Sequence, residues 1–253
     1  MQTYGLIGFP LGHSFSKPYF TEKFLREGRN AQYLNFELDD IGRLPGLLEE
    51  HPDLAGFNVT IPYKRQIIPY MDLLDRIAAG AEAVNTVRVV RRGGRPFLEG
   101  FNTDVHGFWA SLSPLLGPEH RGALVLGSGG ASAAVVFALK EAGLKSLLVS
   151  RKPSLPGMIS YSGITPRIME EYTLIINTTP LGTFPREETF PPIPYERITP
   201  RHLLFDLVYN PAETLFLARG RQQGALVKNG YEMLLLQAEK AWEIWSSPGT
   251  CMP

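Results

Sequence analysis

Lys64 is the residue best placed to do chemistry, because of what surrounds it in NVTIPYK (Asn58–Lys64). LAGFNV (Leu54–Val59) reads as a short apolar strand. Thr60 is a good N-cap and Pro62 suits a first helical turn, so a helix is expected over Pro62–Met71. Lys64 then falls in that first turn, where the helix dipole and unpaired N–H groups favour anions and oppose a cation. A lysine held there gives or shares a proton more readily than one in open water. Taken alone, the position fits a solvated surface cation better.

A second group of residues has the form of a dinucleotide site. GSGGAS (Gly127–Ser132) follows a strand and opens a helix, which is the context the phosphate-binding turn requires. Gly127 allows the tight turn, Gly129 lets the backbone approach a pyrophosphate, and Ser132 fills the third small position. Ser128, Gly130 and Ala131 complete the turn. The next strand ends at Ser150-Arg151-Lys152, where NAD sites place an acid on the ribose 2′-hydroxyl. Two cations and no carboxylate favour a 2′-phosphate, hence NADP. The plain alternative is a solvated strand end.

Composition narrows the partners. Lys+Arg and Asp+Glu are both 25, so no net charge argues for nucleic acid or a membrane surface. Hydrophobic residues at 44% and charged residues at 20% fit a soluble globular chain with ample core at 253 residues. The one cysteine, Cys251, excludes an internal disulfide framework and suits a reducing cytoplasm. His13, His51, His106, His120 and His202 lack metal spacing and are read as surface or loop residues. No apolar run approaches a membrane span, and MQTYGLIGFP lacks the form of a signal peptide.

Strands and helices alternate along the chain, the pattern of an α/β architecture with parallel sheets. The first part reads as strand Thr3–Phe9, helix Lys17–Glu27, strand Gln32–Glu37, helix Ile41–Glu50, strand Leu54–Val59 and helix Pro62–Met71. AVNTVRVV and PFLEGFN, joined by RGGR, read as a hairpin. A helix over Val105–Leu115 leads into GPEHRG, a polar break with the look of a boundary. Beyond it come strand ALVL, helix Ala131–Ala142, strands Ser146–Ser150, Thr173–Asn177, Leu203–Val208 and Ala225–Asn229, and the amphipathic helix Tyr231–Trp245.

Together these segments resemble the shikimate dehydrogenase family. GFPLGHSFSK (Gly8–Lys17), NVTIPYK, AVNTV (Ala83–Val87), GFNTDVHGF (Gly100–Phe108), GSGGAS, NTTPLG (Asn177–Gly182), DLVYNPAET (Asp206–Thr214) and NGYEMLLLQA (Asn229–Ala238) stand in family order nearly end to end. The resemblance implies NADPH-dependent reduction of 3-dehydroshikimate to shikimate, in the route to chorismate and the aromatic amino acids. It implies an α/β fold of two domains, with the active site in the cleft between them. An N-terminal substrate domain would span 1–103, completed by a C-terminal helix over 231–253. A Rossmann-like NADP-binding domain would span 104–230.

By the same resemblance, Ser14 and Ser16 hydrogen-bond the substrate carboxylate. Thr60, Asn85 and Gln237 hold ring hydroxyls, with Tyr209 beside them, and Lys64 and Asp104 form the catalytic pair. Thr178, Leu207, Gly230 and Met233 join Gly127–Ala131 and Ser150–Lys152 around the cofactor. Each residue also has a plainer reading: Ser14 and Ser16 as loop and N-cap residues, Asp104 as a helix-start acid, Asn85 as a backbone partner, Gln237 as a solvated helix position, Tyr209 and Met233 as packing. The chain departs from the family at Ala133, where a basic residue is usual, and around Arg151, whose neighbours differ. Prolines at 153, 156 and 166 leave little room for the usual following helix, so a compact cofactor domain is expected. A small-molecule substrate, no metal, no nucleic acid, no membrane and a monomer or homodimer complete the expectation. The alternatives are an NAD-using quinate/shikimate dehydrogenase, which an acid after the second cofactor-domain strand would favour, and a non-catalytic nucleotide sensor, which loss of Lys64 or Asp104 would mark.

Overall fold

The computed structural model describes residues 1–12, 14–154 and 156–247; His13 and Cys251 lie outside the described residues. Contacts divide the chain into two units, Met1–Thr103 with Ala238–Pro253, and Asp104–Gln237. The first contains β1 (Gln2–Gly8), α1 (Ser16–Arg26), β2 (Ala31–Glu37), α2 (Leu44–Glu50), β3 (Leu54–Val59), β4 (Leu73–Leu74), α3 (Arg76–Ala81), β5 (Thr86–Arg92) and β6 (Arg95–Phe101). Its six strands lie in the order β2-β1-β3-β5-β6-β4. This sheet is mixed rather than parallel, because β3 pairs β5 and β5 pairs β6 antiparallel. The hairpin closes at Gly93 and Gly94, whose φ of 57° and 83° is the left-handed backbone that a two-residue turn demands.

The expected helix over Pro62–Met71 does not form. Residues 61–67 are turns, followed by a 3-10 turn at Ile68–Tyr70. An α-helix would send the Ile68 N–H to the Lys64 carbonyl. Instead the Val84 N–H takes that carbonyl at 2.7 Å, and the Ile68 N–H goes to Arg65 at 3.3 Å. Without a helix, Thr60 caps nothing and the dipole argument for Lys64 lapses. The expected helix over Ile41–Glu50 splits into a 3-10 turn at Ile41–Arg43 and α2. α1 begins at Ser16, with Phe15 in the N-cap position and no side-chain cap, so neither serine is a capping residue.

The second unit contains α4 (Thr103–Leu112), β7 (Gly122–Leu126), α5 (Gly130–Glu141), β8 (Lys145–Val149), α6 (Pro166–Glu171), β9 (Leu174–Asn177), β10 (Leu203–Asp206), α7 (Leu215–Gln222), β11 (Leu226–Lys228) and α8 (Tyr231–Ser246). The contact division cuts α4 after its first residue and α8 between Gln237 and Ala238. Five parallel strands run β11-β10-β9-β7-β8, placing the switch of direction at β7/β9. Strand β7 is buried throughout, the mark of a central parallel strand. Where larger sheets of this kind add a third strand outside β8, the described residues make a single bridge, Val149 to Ile159. Among the described residues of 151–165 there is no α-helix.

Three side-chain clusters fill the cores. Phe57, Val59, Ile67, Val87 and Leu44 pack one face of the first sheet. Tyr4, Phe20, Phe24, Tyr33, Ala241 and Trp245 pack the other, under α1 and the end of α8. Leu124, Ile175, Leu204 and Phe216 lie at the centre of the second unit. Two histidines read above as surface or loop residues are buried there: His120 accepts the Gly117 N–H at 2.8 Å, and His202 the Thr199 N–H at 3.1 Å. Burial lowers the pKa of both imidazoles, which fits neutral acceptors closing tight turns.

Candidate functional site

In the first unit, the polar residues singled out above converge on the ends of β1, β3 and β5. Thr60 follows β3, its N–H bonded to the Ile7 carbonyl at 2.9 Å. Lys64 is half-buried between Tyr63 and Ile67, both fully packed. The Tyr63 hydroxyl donates to the Leu38 carbonyl at 2.6 Å, so the turn that carries Lys64 is held by its neighbours.

Asn85 is 3% exposed and its amide orientation is fixed. Its Oδ1 accepts from the Thr103 N–H at 2.7 Å and from the Thr86 hydroxyl at 3.1 Å, while its Nδ2 donates to Thr103 Oγ1 at 2.9 Å. The second N–H of that amide is therefore what Asn85 offers a ligand, as a donor. Thr103 directly precedes Asp104, so the same bonds set where α4 and its first-turn acid begin. Asp104 is itself buried.

The network continues through residues that sequence reasoning missed. The Tyr33 hydroxyl donates to Asn58 Oδ1 at 2.8 Å, and Asn58 Nδ2 donates to Thr86 Oγ1 at 3.1 Å. Burial pushes the Tyr33 phenol up, opposed by a hydrogen bond from Ser16. Asn58, a polar residue inside an otherwise apolar strand, was the visible signal. Ser14 differs from all of these. Its hydroxyl is buried and has no hydrogen-bond partner among the described residues. A buried unpaired hydroxyl costs about 1–3 kcal/mol, which a bound acceptor would recover.

In the second unit the strand ends gather the dinucleotide candidates. Gly127 has φ 115°, and a Cβ there would stand 2.6 Å from Thr178 Oγ1, so only glycine fits. The Thr178 hydroxyl donates to the Leu126 carbonyl at 2.7 Å. Gly129 is the N-cap of α5, faces open space and is exposed with Ser128. Gly130 and Ala131 form the first turn of that helix, so their N–H groups are the ones a phosphate would meet. Ser132 is buried and donates to the Gly129 carbonyl at 2.7 Å, which closes the turn. Arg151 and Lys152 are exposed beyond β8, and Ser150 Oγ bonds the Lys152 carbonyl at 3.3 Å. Gly230 is buried against Leu207, whose carbonyl oxygen would lie 2.2 Å from an added Cβ. Tyr209 is half-buried, and Met233 and Gln237 are buried on α8. The Gln237 amide donates to the Leu234 carbonyl at 2.9 Å, so it is not a solvated position. An open glycine turn at a helix start, with free space above it, fits a pyrophosphate. Among the described residues no group of three or more His, Cys, Asp or Glu could hold a metal.

Comparisons with known proteins identify the family. Residues 6–87 match the shikimate dehydrogenase substrate binding domain. The shikimate dehydrogenase (NADP(+)) of Moorella thermoacetica is 38% identical over 95% of this chain and 86% of that protein. The crystal structure of shikimate dehydrogenase from Aquifex aeolicus superposes with a TM-score of 0.84 at 34% identity, covering 97% of this chain and 92% of the other. That from Thermus thermophilus, in complex with NADP(H) and shikimate, gives 0.83 at 32% identity, covering 97% and 94%. The chain belongs to the shikimate dehydrogenase family.

Proposed function

We propose that this protein reduces 3-dehydroshikimate to shikimate with NADPH, reversibly, in the biosynthesis of chorismate and the aromatic amino acids. The observation that carries the reading is the Ser14 hydroxyl, buried and without a hydrogen-bond partner among the described residues. Ser14 and Ser16 donate to the substrate carboxylate. Asn85 donates to a ring hydroxyl through its remaining N–H, and Thr60, Tyr209 and Gln237 bind others. NADPH, when bound, supplies the hydride. Delivery to the ketone leaves an alkoxide that needs a proton and a nearby positive charge, and Lys64 supplies both. Asp104 accepts a substrate hydroxyl and orients Lys64. Gly127, Ser128, Gly129, Gly130 and Ala131 hold the pyrophosphate, and Ser150, Arg151 and Lys152 the 2′-phosphate. Thr178, Leu207, Gly230 and Met233 line the nicotinamide end. No helix among the described residues is long and apolar enough to cross a membrane. We place the enzyme in the cytoplasm as a monomer or homodimer.

An assay of absorbance at 340 nm, crossing shikimate and quinate with NADP and NAD, tests the reading directly; no turnover of any pair would end it. With shikimate, kcat/KM is expected to favour NADP over NAD by at least about tenfold, roughly 1.4 kcal/mol. Arg151→Ala should shrink that ratio, and equal efficiency with both cofactors would reject the 2′-phosphate assignment.

Ser14→Ala should raise the KM for shikimate about tenfold or more and leave the KM for NADP unchanged, because a charge-assisted donor worth roughly 1.5–3 kcal/mol is lost. The same variant should be no less stable than the parent, since the hydroxyl has no hydrogen-bond partner among the described residues. An unchanged shikimate KM returns Ser14 to a loop residue.

A further inference from the structure

Strands β7, β9 and β10 end level with one another, Leu126 opposite Asn177 and Asn177 opposite Asp206. Ligands of open α/β sheets bind beyond such carboxyl ends. In this row, at the end of β10 and beside Asn177 of the central strand β9, stands a carboxylate for which the reaction described above has no use. Asp206 is fully buried. Its Oδ1 accepts from Asn177 Nδ2 at 2.9 Å and from the Val208 N–H at 3.0 Å, and its Oδ2 from the Thr214 hydroxyl at 2.6 Å. Asn177 in turn holds the next loop, accepting from the Thr179 N–H at 3.0 Å and the Thr179 hydroxyl at 2.6 Å. Val208 passes its carbonyl to the Gly230 N–H at 3.1 Å. Thr214 is the N-cap of α7. One side chain thus ties together the loop after β9, the loop after β10 and the start of α7. Thr178, Leu207 and Gly230, assigned above to the nicotinamide end, all sit on the backbone it holds.

We propose that Asp206 is a positioning residue for NADP(H), its carboxylate fixing the loops after β9 and β10 in the arrangement that receives the nicotinamide half of the cofactor. The inference rests on the NADP-dependent reading of the chain. The groups that bind the carboxylate are neutral, and their hydrogen bonds offset only part of the cost of burying its charge, so burial raises the Asp206 carboxyl to about 6. β9 presents the amide of Asn177 and α7 the hydroxyl of Thr214. The Tyr195 phenol feels the carboxylate from the 195–197 turn, and Arg219 of α7 lies 5.4 Å from that ring. As pH falls through about 6 the carboxylate takes a proton, its charge-assisted bonds become neutral ones, and its hold on the geometry of the two loops loosens.

The raised carboxyl binds its proton more tightly in the folded chain than in the unfolded one. Its contribution to stability is therefore largest in acid and is lost as pH rises through about 6. Asp206→Asn keeps the shape and removes the charge, and Thr214 can turn its hydroxyl to accept instead of donate. At pH 8 this variant should unfold at the same temperature as the parent or higher, which a carboxylate kept only for stability would not do.

Calorimetric titration of the full chain with NADP+ and with adenosine 2′,5′-bisphosphate, at pH 7.5 and pH 5.5, tests the proposal. The bisphosphate carries the 2′-phosphate but no nicotinamide. Asp206→Asn should weaken NADP+ at pH 7.5 by at least about fivefold, the scale of exchanging a charged hydrogen bond for a neutral one, and leave the bisphosphate within about twofold. The parent should lose more affinity for NADP+ than for the bisphosphate on going to pH 5.5, and the variant should lose both in parallel. Equal weakening of both ligands, or of neither, overturns the proposal while leaving the activity intact. A parent that binds neither ligand overturns the NADP reading itself. Should Asp206→Asn fail to fold, Thr214→Val should weaken NADP+ at pH 7.5 by the same measure and Thr214→Ser restore it; unchanged affinity in Thr214→Val counts against the proposal.

Discussion

Lys64→Ala is expected to lower kcat at least about a hundredfold while the shikimate KM changes little, because a positioned proton donor acts mainly in the transition state. The structure makes the substitution clean. The Lys64 carbonyl is held by Val84, and the flanking Tyr63 and Ile67 side chains are packed, so truncating the ammonium stem leaves the turn in place. Lys64→Arg should not restore the rate, since a guanidinium stays protonated and has a different shape. Asp104→Asn should also be severely impaired, and the double variant less than multiplicatively worse, because two residues acting on one proton path behave as a unit. A folded Lys64→Ala enzyme that keeps more than about a tenth of parental kcat would remove Lys64 from the mechanism.

The largest loss of stability is expected at Trp245. Its indole is 7% exposed, stands 5.0 Å from Tyr4 and 5.3 Å from Phe20, and donates to the Val87 carbonyl at 3.0 Å. It also occupies the space above Gly56, where a Cβ would stand 2.4 Å from Nε1. Trp245→Ala should cost about 3–5 kcal/mol by leaving a cavity, with the indole's hydrogen bond to the Val87 carbonyl lost as well. Trp245→Phe should retain most of the packing and lose the hydrogen bond, about 1 kcal/mol. Urea unfolding followed by far-ultraviolet circular dichroism measures both. A Trp245→Ala loss below about 1 kcal/mol would mean that α8 is not anchored through this residue.

What could be read from the chain and what could not divide along physical lines. The hairpin was visible because RGGR supplies two adjacent glycines, and a two-residue loop needs the backbone they allow. The parallel strands of the second unit were visible as apolar runs, and GSGGAS was visible because its flanks fix its geometry. The turn at Lys64 was misread for a reason local sequence does not contain. Tyr63 and Ile67 have helical spacing, but the carbonyl that a helix would use is claimed by Val84, twenty residues away in the chain. α3 and α7 were overlooked although Asp75 and Thr214 cap them with side-chain bonds to Ala78 and Leu217. Both helices are short, six and eight residues, so a period of 3.6 has little room to show.

Within the site, residue types were more legible than their partners. Ser14, Lys64, Asn85 and Asp104 stand in motifs that name themselves. Tyr33, Asn58 and Thr86, which orient Asn85, are spread over three strands and become neighbours only through sheet pairing. Asp206 was printed inside LLFDLV as a charge among apolar residues, a contradiction that only a buried hydrogen-bonded role resolves.

The return of α8 to the first unit bears on how the protein is made. Asp104–Gln237 is one uninterrupted stretch, whereas the first unit joins residues 1–103 to a segment beginning at Ala238. A ribosome therefore releases a complete second unit before the first has its final piece, reversing the usual order in which amino-terminal domains mature first. Until Trp245 emerges, the aromatic face built by Tyr4, Phe20, Phe24 and Tyr33 has no cover. Such a nascent chain is a natural client for a chaperone that shields apolar surface during translation, and stalling just short of Ala238 should leave that face open.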